Sequence, residues 1–202
     1  MTTAAEAAAL DDVSDGEPGE QHRGLGLFLA IAGGIGVLAS TILTIDKINL
    51  LEAEAAGEQV ALGCDLNAFV SCSGVIASEQ AEAFGFPNPL MGIAGFAVVA
   101  TLGVLLASGL RLPGWVWGGL QAGTVFGIAF VTWLQYQSIF TIGRLCPYCM
   151  VVWAVMIPIF VLVTARNVPG RFLRNWSALI IALWYIAVAA TIFFVFGDTL
   201  WA

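Results

Sequence analysis

The chain has 202 residues, of which 59% are hydrophobic and only 10% charged, against roughly 25% charged in an ordinary soluble domain. Its formal charge of −7 argues against nucleic acid as a partner. A single histidine, His22, argues against a His-based metal or catalytic centre, and no metal site is expected.

Residues 1–23 are polar, acidic and rich in Ala and Gly, which predicts a disordered tail. The tail lacks the basic start of a signal peptide, so the first apolar run reads as an uncleaved helix. Five runs contain no Asp, Glu, Lys or Arg: residues 24–45, 83–110, 112–143, 145–165 and 175–197. Each exceeds the roughly 20 residues that cross a bilayer core, and backbone in lipid must pair internally, so each should be a helix. The alternative is one very apolar soluble helical domain.

The first run is rich in small residues, among them Gly33, Gly34, Gly36, Ala39 and Ser40, which lets a neighbouring helix approach closely. Residues 46–82 form the longest polar connection after the tail and contain Cys64 and Cys72. Within it, Phe69, Cys72, Val75 and Ile76 share one helical face. That pattern fits either a short helix lying on the membrane surface or an ordinary extramembrane loop helix. A turn cluster, Phe84-Gly85-Phe86-Pro87-Asn88-Pro89, precedes a second helix from about Asn88 to Gly109.

A third helix begins at Trp115 and Trp117, both placed at the membrane interface, and ends near Phe140. A short link from Thr141 to Leu145 leads to Cys146-Pro147-Tyr148-Cys149, and a fourth helix runs to Thr164. Arg166 to Asn175 reads as a basic loop, and a fifth helix spans Trp176 to Phe196. There is no internal repeat and no second domain. The organisation expected is a tail over 1–23, a four-helix catalytic bundle over 24–167 that includes an extracytoplasmic loop 46–87, and a basic loop with the fifth helix over 168–202.

Five spans put the termini on opposite sides. Arg23, Arg111, Arg166, Arg171 and Arg174 fall on one side; Lys47 and Arg144 fall on the other. The positive-inside rule makes the first side cytoplasmic. All four cysteines then face the oxidising side, where disulfides persist.

The cysteines form two pairs, Cys64 with Cys72 in a loop and Cys146 with Cys149 at a helix start. Pro147 suits a first helical turn, where its missing N–H costs nothing. The partial positive charge at a helix N-terminus favours thiolate over thiol. A mobile pair beside a fixed pair is the layout of an electron relay, since exchange through mixed disulfides passes two electrons between pairs. A lipid-soluble quinone is the simplest final acceptor. Three alternatives stand beside this reading: two structural disulfides in a non-enzymatic scaffold, a zinc site built from four thiolates, and inert core thiols at Cys146 and Cys149.

Cys64-Asp65, Ser71-Cys72-Ser73-x-Val75, Ser78, Phe84-Gly85, Asn88, Gly92 and Cys146-x-x-Cys149 together resemble the vitamin K epoxide reductase family, over roughly residues 25–165. Pro147-Tyr148 between the last cysteines and the fifth helix resemble its bacterial branch. The resemblance implies an all-α integral membrane protein of five transmembrane helices, with a four-helix bundle around a quinone of menaquinone or ubiquinone type. It implies that Cys146 and Cys149 reduce the quinone, with Cys149 nearest to it. Cys64 and Cys72 would relay electrons, Cys72 exchanging with Cys146. Asn88 matches a position that hydrogen-bonds a quinone oxygen, though a helix N-cap would also explain it. Trp153 stands where animal members carry Tyr; its indole can donate but not accept, and packing or interfacial anchoring would also account for it. Asp65 reads as a local ligand to loop backbone. Some bacterial members carry a fused thioredoxin-like domain after the fifth helix. None follows here, so the expected thiol partner is a separate DsbA-like thioredoxin-fold protein. The setting implied is a bacterial cytoplasmic membrane, with lipid and quinone as the other partners. The same bonds could also serve a thiol-driven quinone or quinone-epoxide reductase.

Overall fold

The computed structural model describes residues 18–58, 62–67 and 69–200. The tail expected to be disordered lies outside the described residues up to residue 17. Pro18 onward is already helical. The long helices are α1 (Pro18–Ala56), α3 (Asn88–Ala107), α4 (Gly114–Tyr136), α5 (Pro147–Asn167) and α6 (Arg171–Leu200), with a short α2 (Cys72–Ile76) between α1 and α3. Each of the five long helices carries a segment apolar and long enough to cross a membrane. The protein is an all-helical, multi-pass membrane protein.

Small residues set how closely α1 and α3 pack. A Cβ on Gly33 would lie 2.6 Å from the Ala100 nitrogen, and one on Gly103 would collide with the Ala30 backbone. Glycine at these two positions lets the helix backbones touch, which replaces the hydrophobic driving force that lipid cannot supply. By contrast α3 and α4 barely meet, and a cavity occupies the gap between them. Helix α5 packs on both α1 and α4, while α6 lies outside, on α5, through an edge contact of Phe160 with Trp184.

Three boundaries differ from the sequence reading. Helix α1 continues through Asp46 and Lys47 to Ala56, so the first part of the connection 46–87 is helix. Its charges did not end the helix because Lys47 is buried by an ion pair, described below. The basic loop 166–175 shrinks to residues 168–170, since α5 reaches Asn167 and α6 starts at Arg171. Arginine at the last turn of one helix and the first turn of the next is compatible with helix, and charge alone was a poor boundary marker. Trp117 does not face outward: it is 3% exposed, with the Arg166 guanidinium 3.8 Å above its ring. Trp115, at 79% exposure, does face outward.

The segment after Cys72 is a short helix, as both sequence readings expected, and it packs against the bundle. Helix α2 ends at Ile76, and a single 3-10 turn, Glu79–Glu82, follows. Together they cap the cavity. Val75, Ile76, Gln80 and Ala81 all line it.

Candidate active site: two cysteine pairs at the head of an apolar cavity

The loop holding Cys64 is organised by Asp65. Its carboxylate accepts from Ser71 Oγ at 2.7 Å, from the Ser73 N–H at 3.1 Å and from the Leu62 N–H at 2.9 Å. Burial pushes this carboxyl up, but the hydrogen bonds from Ser71, from the Ser73 and Leu62 backbone and from the Ser73 hydroxyl outweigh it and hold the group at about 2. Asp65 is therefore ionised and committed to folding the loop, as the sequence reading expected. Ser71 caps α2, accepting from the Gly74 N–H at 3.2 Å, and this places Cys72 at the first helical position.

The second pair opens α5. Cys146 is the N-cap residue, Pro147 is the first helical residue, and Cys149 follows within the first turn. The chain reaches Cys146 through a π-helical turn, Gln137–Ile142, that ends on Gly143 at φ 65°, a conformation glycine adopts without a steric penalty. Ser138 Oγ donates to the Arg144 carbonyl, and the Arg144 N–H returns to the Ser138 carbonyl at 3.1 Å, so two hydrogen bonds close the link.

A two-bond clamp joins the pairs. Leu145 N–H donates to the Phe69 carbonyl at 2.7 Å, and Ser71 N–H donates to the Leu145 carbonyl at 2.9 Å. These bonds form an isolated parallel bridge at Val70 and Leu145. The residues that follow, Cys72 and Cys146, are thereby set side by side, with their sulfurs 3.4 Å apart. Both are fully buried.

Cys64 and Cys72 are joined in a disulfide, with S–S 2.02 Å, whereas Cys146 and Cys149 are free thiols. The Cys146 thiol is pushed below its usual range. A hydrogen bond from the Cys149 thiol is the main cause, aided by the Cys149 and Tyr148 backbone N–H groups; burial and the Asp46 carboxylate oppose it. An acidified thiol in contact with a disulfide sulfur is poised for exchange.

Cys149 lies on the wall of a cavity of about 750 Å³. The cavity extends between α3 and α4 from Asn88 to Leu102 on one wall, about 21 Å at 1.5 Å per residue. Its lining is almost wholly apolar, and no lining residue comes from α6. Asn88 and Trp153 both line it and are 7% and 5% exposed. Asn88 does not cap α3 with its side chain. Instead its Nδ2 donates to the Gln80 carbonyl at 2.7 Å and its Oδ1 accepts from the Ala83 N–H at 3.1 Å. One Nδ2–H stays uncommitted by these bonds. Of the apolar face shared by Phe69, Val75 and Ile76, Val75 and Ile76 line the cavity; Phe69 turns away and packs edge-on against Phe196 at 6.2 Å between centroids.

Two charged residues of α1 belong to this site and escaped the sequence reading. Lys47 is buried, donating to the Ile76 carbonyl at 3.1 Å and pairing with Glu82 at 2.9 Å. It pins the cap to α1. Asp46 turns the other way, and its Oδ2 lies 3.7 Å from Cys64 Sγ. The available signal was an acid and a base next to each other directly after the charge-free run 24–45, since ionisable groups at membrane depth are rarely idle.

A membrane helical bundle that brings a disulfide and a dithiol into sulfur contact at its rim defines a membrane thiol oxidoreductase. The sequence comparison agrees and is more specific. The model of the vitamin K epoxide reductase family matches residues 27–164, and the chain belongs to that family. Every residue that lines the cavity, and all four cysteines, fall inside the match.

Proposed function

We propose that this protein moves electrons from a separate, reduced DsbA-like thioredoxin-fold protein to a quinone of menaquinone or ubiquinone type, and so supports disulfide formation in exported proteins. The observation that carries the reading is the position of Cys146, which touches Cys72 at 3.4 Å on one side and neighbours Cys149 on the cavity wall on the other.

The relay runs in three balanced steps. The partner's thiols open the Cys64–Cys72 disulfide and leave as a disulfide. Cys72 then attacks Cys146 in a Cys146–Cys149 disulfide, expelling Cys149, and Cys64 attacks Cys72, expelling Cys146. That yields the arrangement seen here, a closed loop pair and an open dithiol. Last, Cys146 and Cys149 close again while a quinone takes up two electrons and two protons. The cavity suits such a molecule: its size lies in the usual range for ligand sites, its walls are apolar, and it has few donors. Asn88 Nδ2 and the Trp153 indole N–H are the donors assigned to quinone oxygens.

The proposed setting is a bacterial cytoplasmic membrane. The N-terminus is placed inside, and the cysteines and C-terminus outside. The arginine distribution supports this: Arg23 reaches back over Gly109, and Arg166 sits over Trp117 at the far end of the bundle from Arg144, which packs on Gly74.

The test is quinone reduction by Cys→Ser variants with two donors. Cys146→Ser and Cys149→Ser should lose activity with any donor. Cys64→Ser and Cys72→Ser should lose it with a protein donor and retain part of it with a small dithiol that reaches Cys146. If Cys146→Ser kept full activity while Cys64→Ser failed with every donor, the assignment would be refuted. Absence of quinone reduction by the intact protein would leave its disulfides merely structural.

A further inference from the structure

Two carboxylates approach Cys64, and they are not equivalent. Asp65 is engaged by Ser71, Ser73 and the Leu62 backbone. Asp46 is half-buried, and its Oδ2 lies 3.7 Å from Cys64 Sγ; the sulfur carries no proton in the closed disulfide seen here, and the distance is within range for a thiol donor once that bond opens. Its carboxylate, Cys64 Sγ and Cys72 Sγ all lie within 4.8 Å of one another. The neighbouring cation, Lys47, is committed to Glu82 and Ile76. Among the described residues, no other hydrogen bond or ion pair holds this acid, which stands at the membrane edge with a sulfur as its contact.

We propose that Asp46 is a catalytic residue of the relay, the group that takes the proton from Cys64 as Cys64 closes onto Cys72. This rests on the thiol-relay reading above. In the step, the Cys64 S–H proton passes to the Asp46 carboxylate. The Cys64–Cys72 bond forms, the Cys72–Cys146 bond breaks, and Cys146 leaves as a thiolate at the α5 N-terminus. No external oxidant or reductant is consumed; one disulfide and one thiol exist before and after. In the reverse direction Asp46 returns the proton to Cys64.

The need is clear from Cys64's position. Cys146 gains acidity from the helix N-terminus and the Cys149 thiol, whereas Cys64 lies in a loop with two carboxylates nearby. A fixed negative charge beside a thiol hinders its ionisation. A carboxylate that accepts the proton assists it. The two roles have opposite signs, so substitution decides between them.

The experiment isolates the step from both quinone and partner. In full-length Cys149→Ser protein, one disulfide is shared between the Cys64–Cys72 and Cys72–Cys146 positions. A jump from acid to neutral pH shifts that partition; acid quenching, alkylation and mass spectrometry then give the interchange rate. An unassisted thiol with a pKa of about 8.5 is about 3% ionised at pH 7, so a lost base costs at most roughly 30-fold. Asp46→Asn should slow interchange about 10- to 30-fold at pH 7. The deficit should shrink by about tenfold per pH unit and vanish near pH 9, as hydroxide replaces the base. Asp46→Glu should recover most of the rate. The other groups facing this site, Asp65 from the loop, Cys146 from α5 and the Lys47–Glu82 pair, are common to all variants. An unchanged or faster rate in Asp46→Asn would make Asp46 only a local charge, and an equal deficit at every pH would make it a packing residue; either overturns the proposal. Failure of the intact protein to reduce quinone would remove the acceptor proposed above and leave the interchange result standing.

Discussion

Replacing Lys47 by Met should unlatch the cap over the cavity. Met nearly matches the length and apolar stem of Lys, so the perturbation is the loss of the ammonium. Two interactions go with it. The bond to the Ile76 carbonyl, at 3.1 Å, is buried and charged, a type worth about 1.5–3 kcal/mol. The pair with Glu82 is weaker, because the Glu82 side chain is 40% exposed and water screens it to about 0–1 kcal/mol. The local opening energy of the segment from Cys72 to Asn88 should therefore fall by about 1.5–4 kcal/mol. At ~1.4 kcal/mol per tenfold, amide hydrogen exchange there should accelerate roughly 10- to 700-fold, with α4 and α5 unaffected. Hydrogen-exchange mass spectrometry reads this directly, because the segment is a local unit. Since Val75, Ile76, Gln80 and Ala81 form one wall of the cavity, quinone KM should rise with it. Glu82→Gln is the internal control and should raise exchange by no more than about fivefold. Equal effects from the two variants, or unchanged exchange in Lys47→Met, would refute the reasoning that the carbonyl bond dominates.

Asn88→Ala should raise quinone KM roughly 2- to 13-fold through one lost neutral hydrogen bond of about 0.5–1.5 kcal/mol. It should also loosen the Gln80–Ala83 turn in hydrogen exchange, while Cys72–Cys146 trapping stays near wild type. Unchanged quinone kinetics in folded protein would confine Asn88 to holding the cap. Gly123→Leu places a side chain in the gap between α3 and α4, where an added Cβ meets nothing within 4 Å. Thermal stability should hold or rise, since glycine costs a helix interior about 1 kcal/mol, and the KM of a long-tailed quinone should rise more than that of a tail-less one. Equal KM for both quinones would show that the tail lies elsewhere. Asp65, held at about 2, contributes stability to the loop above its unfolded value near 3.9 and loses it as pH falls through about 2. Asp65→Ala should remove that acid step between pH 4 and pH 2 and speed proteolysis around Cys64 at neutral pH. An unaltered acid transition would place the titration in another group.

The spans and the cysteine pairing were legible in the sequence for a physical reason. Crossing a bilayer is a property of one segment and its solvent, so an uncharged run of sufficient length carries the information alone. Cys146-Pro147-Tyr148-Cys149 is similarly local: the proline, the cap and both thiols occupy one helical turn. What the sequence left open depends on segments far apart in the chain. The contact between Cys72 and Cys146 was expected only through the family resemblance; it is made by backbone bonds of Leu145 with Phe69 and Ser71, and backbone groups carry no side-chain signature. Asp46 and Lys47 read as a polar boundary because nothing local reveals that Cys64 and Glu82 fold back onto them. Trp115 and Trp117 read alike in the sequence, yet the packing of α5 on α4 puts Arg166 above Trp117 and buries it. The sequence by itself determined how many long apolar helices the described residues hold and where the thiols sit relative to them. Which sulfur touches which, which carboxylate is committed to the loop and which faces a thiol, and where the cavity opens were decided by tertiary packing, because each depends on the relative placement of helices whose own sequences are nearly uniform in polarity.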